Sequence, residues 1–346
     1  MSSKNKPTLK SSKINPALSA IQLNNTRGKG GVKVGITIGD PSGIGPAVTL
    51  KAISRLKGLA DFVVIGDEWV FSKLRSLESG FRNIKRIDLN NIDRKHFEFG
   101  KVKAEYGRAS IEYLDKALAL LEEDEIDCLV TAPISKEAVA LSGLKNFSGH
   151  TGYLALKTGT KHHAMLLLNK YLKISLLTEH IRLKKVSAEL SREKLRQNIF
   201  LVEEALKGLF CIPKPRLVIC AVNPHASDNG LLGDEENRII KPALRSLKTK
   251  IPNLEGPLSA DVALKKLKGG LYDAAIAMYH DQALIALKVL GDETGVNMTL
   301  GLPFVRTSPL HGTAFDLART PLLAKPCSMM EAIKLAIKCT SNLKKA

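Results

Sequence analysis

The sequence predicts an α/β fold on a largely parallel sheet. Three observations carry this. Short β-branched runs alternate with helical stretches, 44% of the residues are hydrophobic, and no internal repeat or low-complexity segment breaks the alternation after the first 31 residues. At about 100–200 residues per domain, 346 residues make two domains or one large unit. No apolar stretch approaches the ~18–20 residues that cross a bilayer, so no membrane span is expected.

The elements follow in order. Residues 32–38 (Val-Lys-Val-Gly-Ile-Thr-Ile) are a strand stopped by Gly39-Asp40-Pro41-Ser42-Gly43. A helix follows from about Pro46, since proline is tolerated in a first turn. Residues 61–66 are a second strand, with a helix beginning near Asp67. Over 105–124, Ile111, Leu114, Leu118 and Leu121 recur at helical spacing on one face. Residues 128–133 read as a buried strand running into a loop. Strands over 164–168, 174–177, 217–222 and 274–278 alternate with a long helix over about 190–208 and a closing helix near 329–339. The expected division is a basic tail over 1–31, a first α/β domain over 32–145 plus 301–346, and a second over 146–300.

Ligands in parallel α/β sheets bind outside the carboxyl ends of the strands. Five such ends carry polar residues that a sealed core would not hold: Gly39–Pro46, Thr131–Lys136, Thr178-Glu179-His180, Asn223-Pro224-His225 and Tyr279-His280-Asp281-Gln282. The glycine-rich first loop lacks the third glycine of a dinucleotide fingerprint, where Val48 stands, and lacks the Gly-Lys-Ser/Thr of a P-loop. It reads as a tight strand-to-helix turn or as a ligand contact. In Gly149-His150-Thr151-Gly152, Thr151 is placed to cap a helix, and the helix start with His150 is placed to meet an anion.

His180, His225 and His280 each follow a strand, 45 and 55 residues apart. Converging, three imidazoles hold a divalent ion and leave positions open for substrate oxygens. A single strand-end histidine is as readily a hydrogen-bonded structural residue, and the spacing leaves both readings open. The densest polar cluster is Lys288, then 295–308, then His311-Gly312-Thr313-Ala314. Arg306 ends an apolar run, either as a fork onto carboxylate or phosphate or as a surface arginine at a strand end. His162, His163 and His311 receive no role.

Lys plus Arg number 52 against 34 Asp plus Glu, a net +18. Seven of the cations, and no acid, lie within residues 1–33. That stretch reads as a disordered basic extension, although transit peptides share its composition. With no Arg-rich stripe and little aromatic interleaving, anionic small molecules are better partners than nucleic acid. Five cysteines without a C-x-x-C pair, three of them (Cys128, Cys220, Cys339) in apolar runs, fit a reducing, cytoplasmic setting. No secretory h-region is present in the first 30 residues.

In this order, Gly35–Pro46, Gly149-His150-Thr151, Asn223-Pro224-His225, Met278–Gln282 and the block 295–317 resemble the 4-hydroxythreonine-4-phosphate dehydrogenase family of vitamin B6 biosynthesis, over roughly 34–342. The resemblance implies an isocitrate/isopropylmalate-dehydrogenase-like fold of two α/β/α domains with the active-site cleft between them. It implies a homodimer with the active site shared across the interface, NAD or NADP as cofactor, and one divalent ion per site (Zn, Mg or Co). By motif match the ion is held by His180, His225 and, from the partner subunit, His280. Substrate contacts map onto His150, Thr151, Lys288, Asn297 and Arg306, with Lys288 also counted among the catalytic groups beside the three histidines. The implied reaction oxidises 4-phosphohydroxy-L-threonine to a β-keto acid that decarboxylates to 3-amino-2-oxopropyl phosphate.

This chain departs from the family pattern at Ala47 and Gly152, where the family usually has glutamate. That keeps another phosphorylated hydroxy acid, threonate or erythronate 4-phosphate, as an alternative substrate. A phosphate acetyltransferase on the same fold and a nucleic-acid-binding protein are the remaining readings.

Overall fold

Runs such as Phe62-Val63-Val64-Ile65 and Cys128-Leu129-Val130 are apolar at consecutive positions because helices cover both faces of the sheet they enter, and all seven side chains are buried. The structure, a computed structural model, describes residues 31–74, 77 and 84–345. The basic tail expected over 1–31 lies outside these residues except for Gly31. The strands are β1 (Lys33–Thr37), β2 (Asp61–Gly66), β3 (Lys85–Asp88), β4 (Cys128–Thr131), β5 (Ala164–Leu168), β6 (Lys173–Leu176), β7 (Leu217–Cys220), β8 (Leu254–Leu258), β9 (Ala274–Ala277), β10 (Val296–Leu300) and β11 (Val305–Pro309). They form one sheet in the order β3-β2-β1-β4-β11-β10-β5-β6-β9-β7-β8.

Parallel pairing holds within two blocks, β3-β2-β1-β4-β11 and β6-β9-β7-β8. The sheet is largely parallel, as expected, with an antiparallel centre: β10 is antiparallel to both β11 and β5, and β5 is antiparallel to β6. The blocks therefore run in opposite directions. Local turns impose this. Asn169 Oδ1 accepts from the backbone N–H groups of Tyr171 and Leu172 at 2.8 and 2.9 Å, folding 164–176 into a hairpin. Gly301, at φ 90°, turns β10 towards β11 where a Cβ would fall 2.3 Å from the His162 carbonyl. The strands of 32–145 and 301–346 occupy one end of the sheet and those of 146–300 the other, meeting at the β11–β10 pair.

Alternate residues face opposite sides. Leu166 and Leu168 of β5, Leu217 and Ile219 of β7, and Ala274 and Ile276 of β9 join the larger buried cluster with Leu195, Ile199 and Val202 of the helix Arg192–Gly208 and Ile333 of the helix Cys327–Leu343. Met165 and Leu167, Val218 and Cys220, and Ala275 and Ala277 join a second cluster with Leu284 and Leu287 of the helix His280–Gly291. The expected helices are present as Gly45–Arg55, Ala104–Glu122, Arg192–Gly208 and Cys327–Leu343. The long helix starts at 192, not 190, because the Ser191 hydroxyl accepts from Lys194 N at 3.1 Å and fixes the N-cap there. Cys128, Cys220 and Cys339 are fully buried, and burial pushes each thiol up to about 12. Among the described residues no helix is long and apolar enough to cross a membrane.

The glycine-rich first loop is a structural turn. Gly39 adopts φ 70°, and a Cβ there would lie 2.1 Å from the Pro133 carbonyl. Asp40 N donates to Pro133 O and Ile44 N to Thr313 O. Asp40 Oδ1 accepts from both the backbone N–H and the hydroxyl of Ser42 at 2.9 Å, while Oδ2 is buried without a partner. Burial pushes the Asp40 carboxyl up to about 6 against these hydrogen bonds. The folded chain thus holds a proton that the unfolded chain releases near 3.8. This site favours folding at acid pH, and its contribution falls by about 3 kcal/mol as pH rises through that interval. Urea midpoints measured across the interval are expected to show that decline in the wild type and a flatter profile in Asp40→Asn.

Candidate active site

A cleft of about 870 Å³ crosses the antiparallel centre of the sheet. Its floor is Met165 and Leu167 of β5, Asn297 of β10, and Arg306 and Ser308 of β11. One wall is the segment after β4, from Thr131 to Lys136; the other is Glu179 and His180 after β6 with Asp281, Leu284 and Lys288 of the helix His280–Gly291. The opposed blocks therefore both send strand-end segments to one cavity.

Arg306 sets the electrostatics. It lies within β11, opposite Thr299 in the ladder, and is 1% exposed; the reading of a surface arginine at a strand end is corrected, because neighbouring strands flank β11 on both sides. Its guanidinium donates to Thr131 Oγ1 (Nε 3.2 Å, Nη2 2.5 Å) and to Thr299 Oγ1 (Nη1 3.0 Å). None of these acceptors is a carboxylate, and burial alone pushes its pKa down to about 9. A buried cation without a counter-charge is expensive, so the floor of the cleft is primed for an anion.

Three further polar atoms are buried without partners on the same cavity: His150 Nε2, Asn297 Oδ1 and His311 Nε2. His150 opens the helix His150–Lys157 behind Gly149. Burial first, then the charges of Arg306 and Lys136, push its pKa well down, so the ring is neutral. Gly149, at φ 118°, lets the Lys136 stem pass where a Cβ would sit 3.3 Å from its Cε. The expectation that Thr151 caps this helix is corrected: Gly149 is the N-cap, and the buried Thr151 hydroxyl lies 3.2 Å from Thr299 Oγ1, joining the Arg306 network. Lys288 is exposed on the cleft rim.

The strands bearing the three histidines are parallel neighbours in the order β6-β9-β7. Gln282 ties two of their ends, donating to Ala221 O and accepting from Met278 N at 2.8 Å. His180 and His280 of the same chain stand with ring centroids 5.4 Å apart. The resemblance has His280 arriving from a partner, whereas here it already adjoins His180 of its own chain. Burial, then Lys136 and His280, lower the His180 pKa, favouring the neutral ring that a metal ligand must be. His280 Nδ1 lies 2.7 Å from Asp281 Oδ1, which orients the ring and leaves Nε2 outward.

His225 is exposed and does not line the cleft. It begins six successive residues at positive φ, 225–230, within Pro224–Gly230. The fully buried Glu236 secures the approach, accepting from Val222 N, Asn223 N and Asn223 Nδ2 at 2.9 Å each. Among the described residues of one chain, no three His, Cys, Asp or Glu side chains are grouped to hold a metal ion. One chain thus brings two imidazoles together, with His225 apart from them.

Sequence reasoning gave no role to Lys136, His163 or His311, all of which line the cleft. Lys136 was legible as the end of the polar segment after β4; His311 had no signal beyond its nearness to Arg306. Of the two departures, Ala47 is buried in the first turn of the helix Gly45–Arg55 and does not line the cavity, while Gly152 does. A Cβ at Gly152 would fall 2.0 Å from Ser148 Oγ.

A cleft at the seam of a mixed α/β sheet, with an anion site beside paired imidazoles, defines an oxidoreductase of the isocitrate-dehydrogenase-like class. The family described as "Pyridoxal phosphate biosynthetic protein PdxA" matches residues 55–336. The chain belongs to this family. It is 42% identical over 318 residues to the 4-hydroxythreonine-4-phosphate dehydrogenase of Sulfurihydrogenibium sp. (strain YO3AOP1), covering 88% of this chain and 98% of that one. It is 39% identical over 323 residues to the D-threonate 4-phosphate dehydrogenase of Salmonella typhimurium, with the same coverage. The crystal structure of 4-hydroxythreonine-4-phosphate dehydrogenase from Klebsiella pneumoniae superposes with a TM-score of 0.80 at 35% identity, over 90% of this chain and 99% of that one.

Replacing Arg306 by Met removes an unpaired buried charge. The Arg306→Met chain is expected to be at least as stable as the wild type without phosphate, by up to about 1–3 kcal/mol. It is also expected to lose the rise in thermal midpoint that millimolar inorganic phosphate gives the wild type. Differential scanning fluorimetry with and without phosphate reads both.

Proposed function

We propose that the chain carries out NAD- or NADP-linked, divalent-metal-dependent oxidation of 4-phosphohydroxy-L-threonine, giving a β-keto acid that decarboxylates to 3-amino-2-oxopropyl phosphate. The observation that carries the reading is Arg306, a buried cation without a carboxylate at the floor of the cleft, which matches a phosphorylated substrate in a family of dehydrogenases. The carbinol loses a hydride to the nicotinamide and a proton to solvent; carbon dioxide then leaves the β-keto acid.

His180 and His280 would hold the metal, completed by His225 of a second copy. Bound there, a divalent ion supplies Lewis acidity that eases loss of the carbinol proton. Imidazole donors suit zinc or cobalt better than magnesium. Burial and then Lys136 favour the neutral His180 ring, and Asp281 orients the His280 ring. Arg306, His150, Thr151 and Asn297 bind anionic and polar groups of the substrate, and Lys288 on the rim neutralises its carboxylate. Two features support a homodimer with a shared site: His225 is exposed and does not line its own cleft, and Ile285, Val289 and Leu231 are 65%, 79% and 87% exposed. The five free thiols support a cytoplasmic location, and the gathering of Lys136, Lys288 and Arg306 on one cavity favours a small anion over nucleic acid.

A second reading, oxidation of D-threonate 4-phosphate, is favoured by Gly152, which leaves the cleft without a carboxylate at a position facing the substrate. Rates with a panel of both substrates and erythronate 4-phosphate separate the two.

With 4-phosphohydroxy-L-threonine, reduced nicotinamide is expected to accumulate, to stop after EDTA, and to return on metal add-back. His225→Ala is expected to lower metal affinity by about 10–100-fold and turnover by a comparable factor. Near-normal turnover and metal content in that variant would remove the proposal.

A further inference from the structure

The face of the sheet turned away from the cleft carries a cavity of its own. Successive side chains of a strand point to opposite faces, and the cross-strand pair Asn297–Leu167 of β10 and β5 lines the cleft. The next pair, Val296–Leu168, lines a cavity of about 500 Å³ on the other face. The row continues into β6, where Lys173 pairs with Leu168. The walls are the β5–β6 hairpin, the turn after the helix Arg192–Gly208, and the helix Cys327–Leu343. Leu168, Val296, Phe210, Ile212 and Leu335 supply an apolar base. Lys170 and Lys173 enter from the hairpin, and Lys334 and Lys338, one helical turn apart, from the helix Cys327–Leu343. Glu331 is the one carboxylate among the lining residues, and Lys334 Nζ lies 2.8 Å from it. Among the described residues, Lys170, Lys173 and Lys338 have no carboxylate within ion-pair distance.

Lys173 is only partly exposed, and its ammonium lies 5.5 Å from the Phe210 ring centroid. Burial lowers its pKa first, Asp273 opposes this, and the Lys338 charge adds to it. Asp273 is engaged elsewhere, since its carboxylate accepts from Arg216 Nε and Nη2 at 3.1 and 2.9 Å. A desolvated ammonium beside a like charge is costly until an anion joins it. We infer that this cavity binds a phosphate monoester with an apolar, ring-sized body, the phosphate among Lys170, Lys173 and Lys338 and the ring against Phe210 and Ile212. Lysine ammoniums meet phosphate as point charges, and three of them match a dianion better than a single carboxylate. The volume lies within the ~300–1,000 Å³ of small-molecule sites, so it takes more than inorganic phosphate. The inference does not depend on the reaction proposed for the cleft.

Calorimetric titration of the full-length protein with 1-naphthyl phosphate tests the site. The Arg306→Met chain, whose cleft lacks its anion anchor, is expected to bind one equivalent, less tightly as salt rises. 1-Naphthol, without the charge, and inorganic phosphate, without the ring, are expected to bind at least about tenfold more weakly. Adding Lys173→Met and Lys338→Met to that chain is expected to raise the Kd for the ester about tenfold or more. The melting temperature without ligand is expected to stay unchanged or rise, because both substitutions remove cations that lack a carboxylate. Lys338→Met alone, at an exposed position, is expected to shift the Kd in the same direction by a smaller factor. An affinity untouched by the lysine substitutions overturns the site. Ester binding that disappears with Arg306→Met alone also overturns it, because the ester then sits in the cleft. Naphthol binding as tight as that of the ester overturns the anion class and leaves an apolar crevice.

Discussion

Arg306 lies where two parallel blocks of opposite direction are stitched together, and among the described residues its acceptors are the hydroxyls of Thr131 and Thr299. A guanidinium so placed is a persistent source of positive potential in a medium that screens it poorly. Burial first, and then this charge, hold His150 well below the usual imidazole range, and the Thr151 hydroxyl lies beside that of Thr299. The seam makes this possible. β11 belongs to one block and pairs with β10 of the antiparallel centre, so Arg306 touches strands on both sides of the seam.

Around that charge the chain divides its labour between donors and supports. His180 and His280 are close because β6 and β9 are parallel neighbours, and the pairing continues past the strands as Leu177 and Thr178 donate to Ala277 and Met278. Gln282 joins the β9 end to the β7 end, and Glu236 grips the peptide groups that lead to His225. None of these supports faces the cleft, yet each fixes the angle at which an imidazole leaves the sheet.

Much of this was legible in the amino-acid order. The buried strands announced themselves as unbroken apolar runs, and the rule that strand ends carry ligands in α/β sheets led to His180, His280 and the segment ending at Lys136. The antiparallel centre was not legible, because an apolar five-residue run such as 164–168 gives no direction; direction is set by the Asn169 turn. The outer strands β3 and β8 were missed because Lys85-Arg86-Ile87-Asp88 is half polar and Gly256-Pro257 interrupts the other. Arg306 looked like a strand terminus because the chain shows only one strand at a time, and its burial comes from the strands on either side. The glycine loop left a tight turn and a ligand contact both open, and its backbone donors at Asp40 and Ile44 are taken by Pro133 and Thr313.

The unbroken ladder through β11, β10 and β5 also limits how the molecule can breathe. Two lobes joined by a loose linker can swing apart as rigid bodies, but here the joint is itself a row of peptide hydrogen bonds. Rotation of one lobe against the other must be absorbed as extra coil in three strands, spread over many torsions of a few degrees each. A change in the width of the cleft must therefore be shared among these strands or left to side chains at the rim.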